Sequence, residues 1–556
     1  KLFRAVERRQ VLYAREGWTM LIRMKLFQAV ERRQVLYARE GWTMLIRMCK
    51  LSQVLYISIA FVLNVCLVCN ALDDEIVSLP GLSKQIQFKQ YSGYLNASKG
   101  RHYFYWFFEC EKDPQNAPVV LWLSGGPCAS SLLGMSTENG PFRFKQDGKT
   151  VELAEHSWNL VANVLYLESP SGTGFSYDDN NNYTNNDEST ALDNYLSLEM
   201  ANVLYLESPS GTGFSYDDNN NYINNDESTA LDNYLSLESF FIKFPQFRKN
   251  EFYITGESYA GVYIPMLATK IYSHNSTINL KGLSIGNGLL LNKQNQLYFD
   301  QSVYDYALGH GLITTDAYEK KLENCCECTA GAVQHQCDFS NPPNKTKCDL
   351  VQINTTNVIN PYNIYDDCPV DVEIPPHSLF DTYIRPAFKR IGINYKLKSN
   401  IGVNARPECV RTGITAYLNT DAVRRALHVR PGSKKWAQVG TDYDWQHLNT
   451  PQADIVKQLI NTYKIPKLIV YNGDFDSICN FISNQRFVES LGFQTAGHYR
   501  EWTVDGTSDG VIGGFIQNYE KGLSFVVVRG AGHMVPTDKP EAGLQILKSL
   551  LGLAKL

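Results

Sequence analysis

The sequence predicts an α/β fold, a mostly parallel central sheet flanked by helices, and three observations carry that prediction. Short β-rich runs at Val119–Leu123, 163–167, 252–255, 283–285, 468–471 and Leu523–Val528 are separated by helix-compatible stretches, the alternation that builds such sheets. Several of these runs are almost continuously apolar, as strands covered on both faces must be. The run at 252–255 leads straight into Gly256-Glu257-Ser258-Tyr259-Ala260-Gly261 and then into helix-forming residues. That is the strand–turn–helix context of a Gly-x-Ser-x-Gly elbow.

Composition sets the bounds. The chain has 556 residues, 44% of them hydrophobic and 20% charged, enough apolar material for a large packed core. Its net charge of −5 is uneven: residues 1–48 hold 11 Lys+Arg against 4 Glu, leaving the remainder at about −12. An acidic body excludes nucleic acid as a partner, because phosphate binding needs a basic face. One apolar stretch alone is long enough to concern a membrane, which excludes a multi-pass protein.

Two near-perfect duplications come before any folding element. Residues 1–24 recur as 25–48 with Arg4 against Gln28, and 162–199 recur as 201–238 with Thr184 against Ile223. Repeat architectures need at least three units, so neither pair predicts a solenoid. Residues 1–48 read as a duplicated leader outside the native fold. Residues 49–71 read as a signal peptide: Lys50, the apolar run 54–69 and the small residue Ala71. The expected organisation is then 72–290 as the first part of the sheet domain, 291–408 as an inserted cap where the pattern lapses into Cys, Asn, Pro and Tyr, and 409–556 as the second part. The last segment, 539–556, opens with Pro540 and aligns Leu544, Leu547 and Leu551 as a terminal amphipathic helix.

A signal peptide implies the secretory pathway, and other residues agree. Asn-x-Ser/Thr acceptors stand at Asn96, Asn182, Asn275, Asn344 and Asn354. Six of the ten cysteines beyond the signal region crowd into 325–368, which in an oxidising compartment reads as a disulfide framework. Cys325-Cys326-x-Cys328 lacks the paired spacing of a zinc knuckle, so no metal or other cofactor is implied. No membrane association is expected after signal removal.

A serine hydroxyl has negligible nucleophilicity without a base, so the elbow at Ser258 matters only if an acid and a histidine follow. They do, in the order Ser, Asp, His that this architecture uses. Asn472-Gly473-Asp474-Phe475-Asp476 follows the strand 468–471, and Arg529-Gly530-Ala531-Gly532-His533 follows Leu523–Val528. Both lie on loops just past strand ends, where α/β sheets place function. Spacing does not choose between Asp474 and Asp476.

These residues carry a family resemblance. Gly256–Gly261, the run Gly473-x-x-Asp476-x-x-Cys479-Asn480 and Gly530-Ala531-Gly532-His533-Met534-Val535-Pro536 resemble the serine carboxypeptidases, most closely the lysosomal branch of that family. Tyr91-Ser92-Gly93-Tyr94-Leu95, 118–123 and 162–170 match further, so the resemblance runs from about Asp74 to the end apart from the duplicate copy. It implies an α/β-hydrolase fold with a disulfide-containing cap, and C-terminal residues released from peptides at acidic pH through an acyl-enzyme on Ser258. It selects Asp476 as the acid, Cys479 as a buried free thiol beside the site, and the backbone N–H groups of Gly126 and Tyr259 as the oxyanion hole. It also implies a clamp for the substrate carboxylate: Glu138 and Glu257 share a proton, since two close carboxyls cannot both ionise, and Ser124 lies beside them.

Other implications follow from the same resemblance. The expected bridges are Cys325 with Cys348, Cys326 with Cys337 and Cys368 with Cys409. The expected partners are peptide or protein C-termini, with lysosomal glycosidases and a second copy of the chain as candidates, and the expected location is lysosomal or secreted. Alternatives are a carboxypeptidase-like acyltransferase and a non-catalytic protective partner. The chain departs from the family at Ser124, where it has an amide; at Cys128, where it has glycine; and at Ala129, one half of a disulfide. The other half belongs a few residues past a Trp, and after Trp436 stand Ala437-Gln438-Val439, with no Cys.

Overall fold

In the computed structural model, which describes residues 74–97, 101–126, 129–168, 175, 216–217, 223–290, 301–325, 360–366, 413–439, 444–446 and 451–556, the apolar runs become the middle of one eleven-stranded sheet. Its strands are β1 (Gln90–Asn96), β2 (Arg101–Phe108), β3 (Val119–Leu123), β4 (Asn163–Glu168), β5 (Tyr216–Asp217), β6 (Phe252–Glu257), β7 (Leu280–Gly286), β8 (Lys467–Gly473), β9 (Arg500–Thr503), β10 (Ile512–Asn518) and β11 (Leu523–Val528). The order is β1-β2-β4-β3-β6-β7-β8-β11-β10-β9, with β5 added against β2. From β4 to β11 every pairing is parallel. Both ends are antiparallel. The parallel centre is the part built from the apolar runs. The antiparallel ends escape a search for such runs because their residues are aromatic or polar: β2 reads Arg-His-Tyr-Phe-Tyr-Trp-Phe-Phe.

Helices cover the faces. They are α1 (Asp226–Lys243), α2 (Ala260–Ser273), α3 (Gln301–Gly309), α4 (Thr315–Cys325), α5 (Gln452–Asn461), α6 (Phe481–Ser490) and α7 (Pro540–Leu550). Tyr103 to Phe108 of β2 are wholly buried, and α1 covers one side of them with Phe240 and Phe244, whose rings lie 5.8 and 5.6 Å from that of Phe107. Each such aromatic contributes about 1.5–3 kcal/mol of burial. The terminal helix α7 is shorter than the pattern 539–556 suggests. It ends before Gly552, whose φ of +74° turns the chain out of the helix.

The duplicated segment is used in part from each copy. The sheet takes its strand from the first copy, where Asn163 anchors β4 through bonds to Pro114 O, Ala117 O and Cys110 N. The helix comes from the second copy: α1 begins at Asp226 and runs past the repeat into Lys243. Asn225 caps it with a reciprocal Ser228 bond. The buried pair Arg101–Asp232 and the pair Lys243–Asp74 lock it onto the sheet. The strand of the sheet is thus the one continuous with Trp158, and α1 is the helix continuous with the elbow strand.

In the stretch expected to form the cap, α3 docks on α6 of the second part of the chain through Arg486–Asp305 at 2.5 Å and the rings of Tyr306 and Phe481. Residues Ala71–Leu556 form one compact unit. Among the described residues no helix is long and apolar enough to cross a membrane. The leader, the signal segment, the remainder of the cap, the acceptors Asn182, Asn344 and Asn354, and the side chains of all three expected cysteine pairs lie outside the described residues. Asn96 and Asn275 are described, and both are exposed.

Candidate active site

Three parallel strands, β6, β8 and β11, end at the same edge of the sheet, with β7 between the first two, and the loops that follow them carry the three residues of interest. β6 runs into α2 through a turn at Ser258, whose φ is +60°, a left-handed conformation that costs a non-glycine residue energy and marks a nucleophile elbow. The turn is held because Ser258 N donates to Gly286 O and Asn287 O, while Leu289 N and Gly261 N donate to Ser258 O. Glycine is required beside it: a Cβ on Gly256 would lie 2.2 Å from Leu123 O.

Asp476 and His533 meet directly. His533 Nδ1 and Asp476 Oδ2 are 2.8 Å apart, and both residues are buried. Asp474, which spacing left as an equal candidate, faces elsewhere; its carboxylate accepts from Gly530 N at 2.7 Å and fixes the turn after β11. Among the described residues Ser258 Oγ makes no hydrogen bond to His533, the looseness common in ligand-free sites. Cys479 is buried against Asp476, to which its backbone N–H donates at 3.2 Å. Burial pushes its thiol well above the usual range, with the Asp476 and Glu257 charges adding to the effect, so it is no competing nucleophile.

The segment 360–366 of the insertion ties the acid and histidine loops together. His533 N donates to Tyr362 O at 2.6 Å, Ser477 N and Oγ both donate to Pro361 O, and Ile364 N donates to Phe475 O. Asp538 accepts from Gly532 N and Asn363 Nδ2. The Tyr362 ring stands edge-on to the imidazole at 5.1 Å. No motif in the sequence announces this segment, because its contribution is largely backbone carbonyls.

Opposite lies the loop after β3. Gly126 has a φ of +108°, and a Cβ on Gly125 would fall 2.5 Å from both Ser258 Cβ and Tyr259 N. This is the close approach that brings the loop against the elbow. Pro127 and Cys128 lie outside the described residues. Beyond them Ala129 bridges Val439 and Ser130 N donates to Gln438 O at 2.9 Å, so the loop carrying Ala129 lies against the segment that follows Trp436, where the other half of the disulfide is expected. Ser124 Oγ accepts from Trp122 Nε1 at 3.3 Å; Trp122 is a neighbour that sequence reasoning did not single out.

Glu138 sits on a π-helical turn, Met135–Asn139, an irregularity found often at functional sites. Arg143 fastens it by donating to Glu138 O at 2.7 Å and Gly140 O at 3.0 Å. Glu138 and Glu257 are both buried and hydrogen-bonded to each other. Burial raises Glu138 to about 7. It raises Glu257 well above the ordinary value, and the Glu138 charge adds to the rise. Both shifts favour the protonated form, so the pair holds a proton between its two carboxyls in acid. Each retains one buried oxygen with no partner. No group of three or more metal-ligating side chains occurs among the described residues.

Known proteins resemble this chain over most of its length. A family model described as serine carboxypeptidase matches residues 80–200 and 198–552; the break between the two matches falls where the first repeat copy ends. The lysosomal protective protein of Mus musculus is 36% identical over 495 residues, covering 86% of this chain and 93% of that protein. Serine carboxypeptidase ctsa-4.1 of Caenorhabditis elegans is 34% identical, covering 90% and 97%. Among solved structures, a prohormone-processing carboxypeptidase from Saccharomyces cerevisiae shares the fold with a TM-score of 0.57 at 21% identity, covering 87% and 96%.

Proposed function

The chain belongs to the serine carboxypeptidase family, and on that premise we propose that Ser258, Asp476 and His533 are its triad and that Ser124, Glu138 and Glu257 receive the substrate's terminal carboxylate. It is a serine-type carboxypeptidase, a hydrolase of the α/β-hydrolase fold. His533 takes the Ser258 proton as Oγ attacks the scissile carbonyl, and Asp476 holds the imidazole in the required tautomer and stabilises its charged form. The tetrahedral oxyanion lies toward the N–H groups of Gly126 and Tyr259, each such donor lowering the barrier by about 3–4 kcal/mol. His533 then protonates the departing amine, and water resolves the acyl-enzyme by the reverse relay.

One observation carries the reading: the buried Asp476–His533 contact at the strand ends next to the Ser258 elbow. The proton held by the Glu138/Glu257 pair supports the exopeptidase preference, because a neutral carboxyl can donate to a carboxylate while an ionised pair repels it. Ser258→Ala should abolish release of C-terminal residues, a loss of about 10⁶-fold in kcat. Retained release by that variant would overturn the assignment.

Lysosomal or secreted residence is proposed from the name of the mouse relative, and the exposed Asn96 and Asn275 suit that route. Peptide or protein C-termini are the proposed substrates. Lysosomal glycosidases and a second copy of this chain are the proposed protein partners. Co-sedimentation of the purified chain, alone and with such a glycosidase, tests both.

A further inference from the structure

We infer that Asn287 is a positioning residue for the reaction, setting Asp476 for its partnership with His533. The inference rests on the proposed triad. Asn287 follows β7 in Gly286-Asn287-Gly288, is wholly buried and has a φ of +39°. Its Nδ2 donates to Asp476 Oδ2 at 2.7 Å, the same oxygen that faces His533 Nδ1 at 2.8 Å. Its Oδ1 accepts from Gly473 N at 3.1 Å, at the start of the acid's own loop. Its backbone carbonyl accepts from Ser258 N at 3.2 Å, and its backbone N–H donates to Tyr471 O at 2.8 Å. One residue thus touches the nucleophile's turn, the acid's carboxylate and the acid's loop.

The geometry explains why Asp476 is not free to rotate. Oδ1 accepts from Ile478 N and Oδ2 from Cys479 N, but both donors belong to the carboxylate's own loop and move with it. Asn287 is the donor from a different strand end, so it fixes the carboxylate relative to β7 and, through its carbonyl, to Ser258. Asparagine suits the position twice over. It tolerates the left-handed backbone, and its amide donates to one neighbour and accepts from another at once.

Two variants separate a donor role from a merely structural one. Asn287→Gly keeps the backbone conformation and removes the amide. Asn287→Asp keeps the shape and the acceptor for Gly473 N, but loses the donor and sets a like charge against Asp476. The expected result for Asn287→Gly is a kcat lowered about 10- to 100-fold, the equivalent of one charged hydrogen bond, with KM within about twofold. Asn287→Asp should be as slow or slower. If Asn287→Asp turns over near the wild-type rate while Asn287→Gly is impaired, the amide only props the loop and the inference is wrong. Melting curves of both proteins identify any variant that is merely unfolded.

A double-mutant cycle with Asp476→Ala on an activated ester supplies the second measurement. Asn287→Gly should cost little more in that background, since it acts through the missing carboxylate. Full additivity would overturn the inference. Unchanged activity in Asp476→Ala alone would instead overturn the triad assignment beneath it, so the two failures are distinguishable.

Discussion

The Asp476–His533 side of the site and the Ser124–Ser131 side differ in how their polar atoms are held. On the first side both oxygens of the acid have partners, from Ile478, Cys479, Asn287 and His533, and the histidine's own N–H is bonded to Tyr362 O. On the second, Ser124 Oγ meets one donor at 3.3 Å, and the outer oxygens of Glu138 and Glu257 are buried without partners. The loop there is tied to 438–439 by backbone contacts. Buried groups without partners are costly unless something arrives to satisfy them. The acid and the histidine are thus held in place before substrate binds, with the Ser258–His533 bond still to form, whereas the second side keeps buried polar atoms that the proposed substrate carboxylate would satisfy. Changes on the first side should therefore lower turnover, and changes on the second should alter which termini are accepted.

The largest effect expected on the recognition side is its dependence on pH. Both proposed clamp carboxyls are raised, chiefly by burial, Glu138 to about 7 and Glu257 well above the ordinary value, so the pair holds a proton in acid and gains negative charge as pH climbs. KM for a free-acid peptide should rise about 10-fold or more between pH 5 and pH 8, while the amidated twin changes much less. Glu257→Gln, whose amide donates at any pH, should flatten the rise; an undiminished pH dependence in that variant would separate the clamp from the pH effect. Stability moves in the same direction. A carboxyl raised in the folded state contributes fully below its unfolded value, near 4.5, and that contribution disappears as pH passes the raised value. The melting temperature should fall from pH 5 to pH 8, and fall less in Glu257→Gln.

The same division runs through what the sequence makes legible. Ser258 and His533 are marked in the sequence because each follows an apolar strand and stands among glycines that a tight turn needs, whereas that pattern leaves Asp474 and Asp476 equal and the family resemblance alone selects Asp476. The parallel centre of the sheet is readable for the same reason: strands covered on both faces leave unbroken apolar runs. The antiparallel ends are less so, since β2 opens on Arg101 and His102 before its aromatic run and β9 is a four-residue strand in which Trp502 is the one buried residue. Tyr362, Pro361 and Asn287 escape notice because they act through backbone carbonyls or a single amide, which no spacing rule marks. Gly286-Asn287-Gly288 at a strand end was a usable signal for the last of these.

A smaller effect is expected from Ser124→Asn. The serine has one proton to give and a short reach, whereas an amide offers two donors. Restoring the amide should raise the preference for free-acid over amidated peptides about 5- to 10-fold, the worth of one added hydrogen bond, with turnover of the preferred substrate little changed. Paired kcat/KM measurements on the two peptides check it. No change in their ratio would mean that position 124 does not reach the substrate carboxylate, and that the two clamp acids suffice.

The bridge at Ala129 and Val439 allows a change that acts on stability more than on chemistry. The two residues face each other across an antiparallel contact, a separation within reach of a disulfide. Ala129→Cys with Val439→Cys should form a bond under oxidising conditions and stabilise the protein by about 2–4 kcal/mol relative to its reduced form, at nearly unchanged kcat. Melting curves with and without reductant read the difference. If oxidation leaves the melting temperature unmoved, the oxyanion loop is already held as firmly as a covalent tie would hold it, and the contrast between the two sides of the site is weaker than their hydrogen bonds suggest.

The smallest effect is expected from removing the duplicate. The fold takes β4 from the first copy and α1 from the second, and the sheet has one place for that strand, between β2 and β3. Deleting residues 162–200 joins Val161 to Ala201, so the second copy's Asn202 arrives where Asn163 stood and the identical strand sequence re-enters the same register. The residues that lock α1, Asp226, Asp232 and Lys243, stay in place. Shortening a connection by 39 residues lowers closure entropy only logarithmically, so the gain in stability should not exceed about 1 kcal/mol. The deleted chain should fold at least as well and cleave at the wild-type rate. Loss of soluble, active protein would show that the additional copy holds the two sides of the site together in a way that β4 and α1 alone do not.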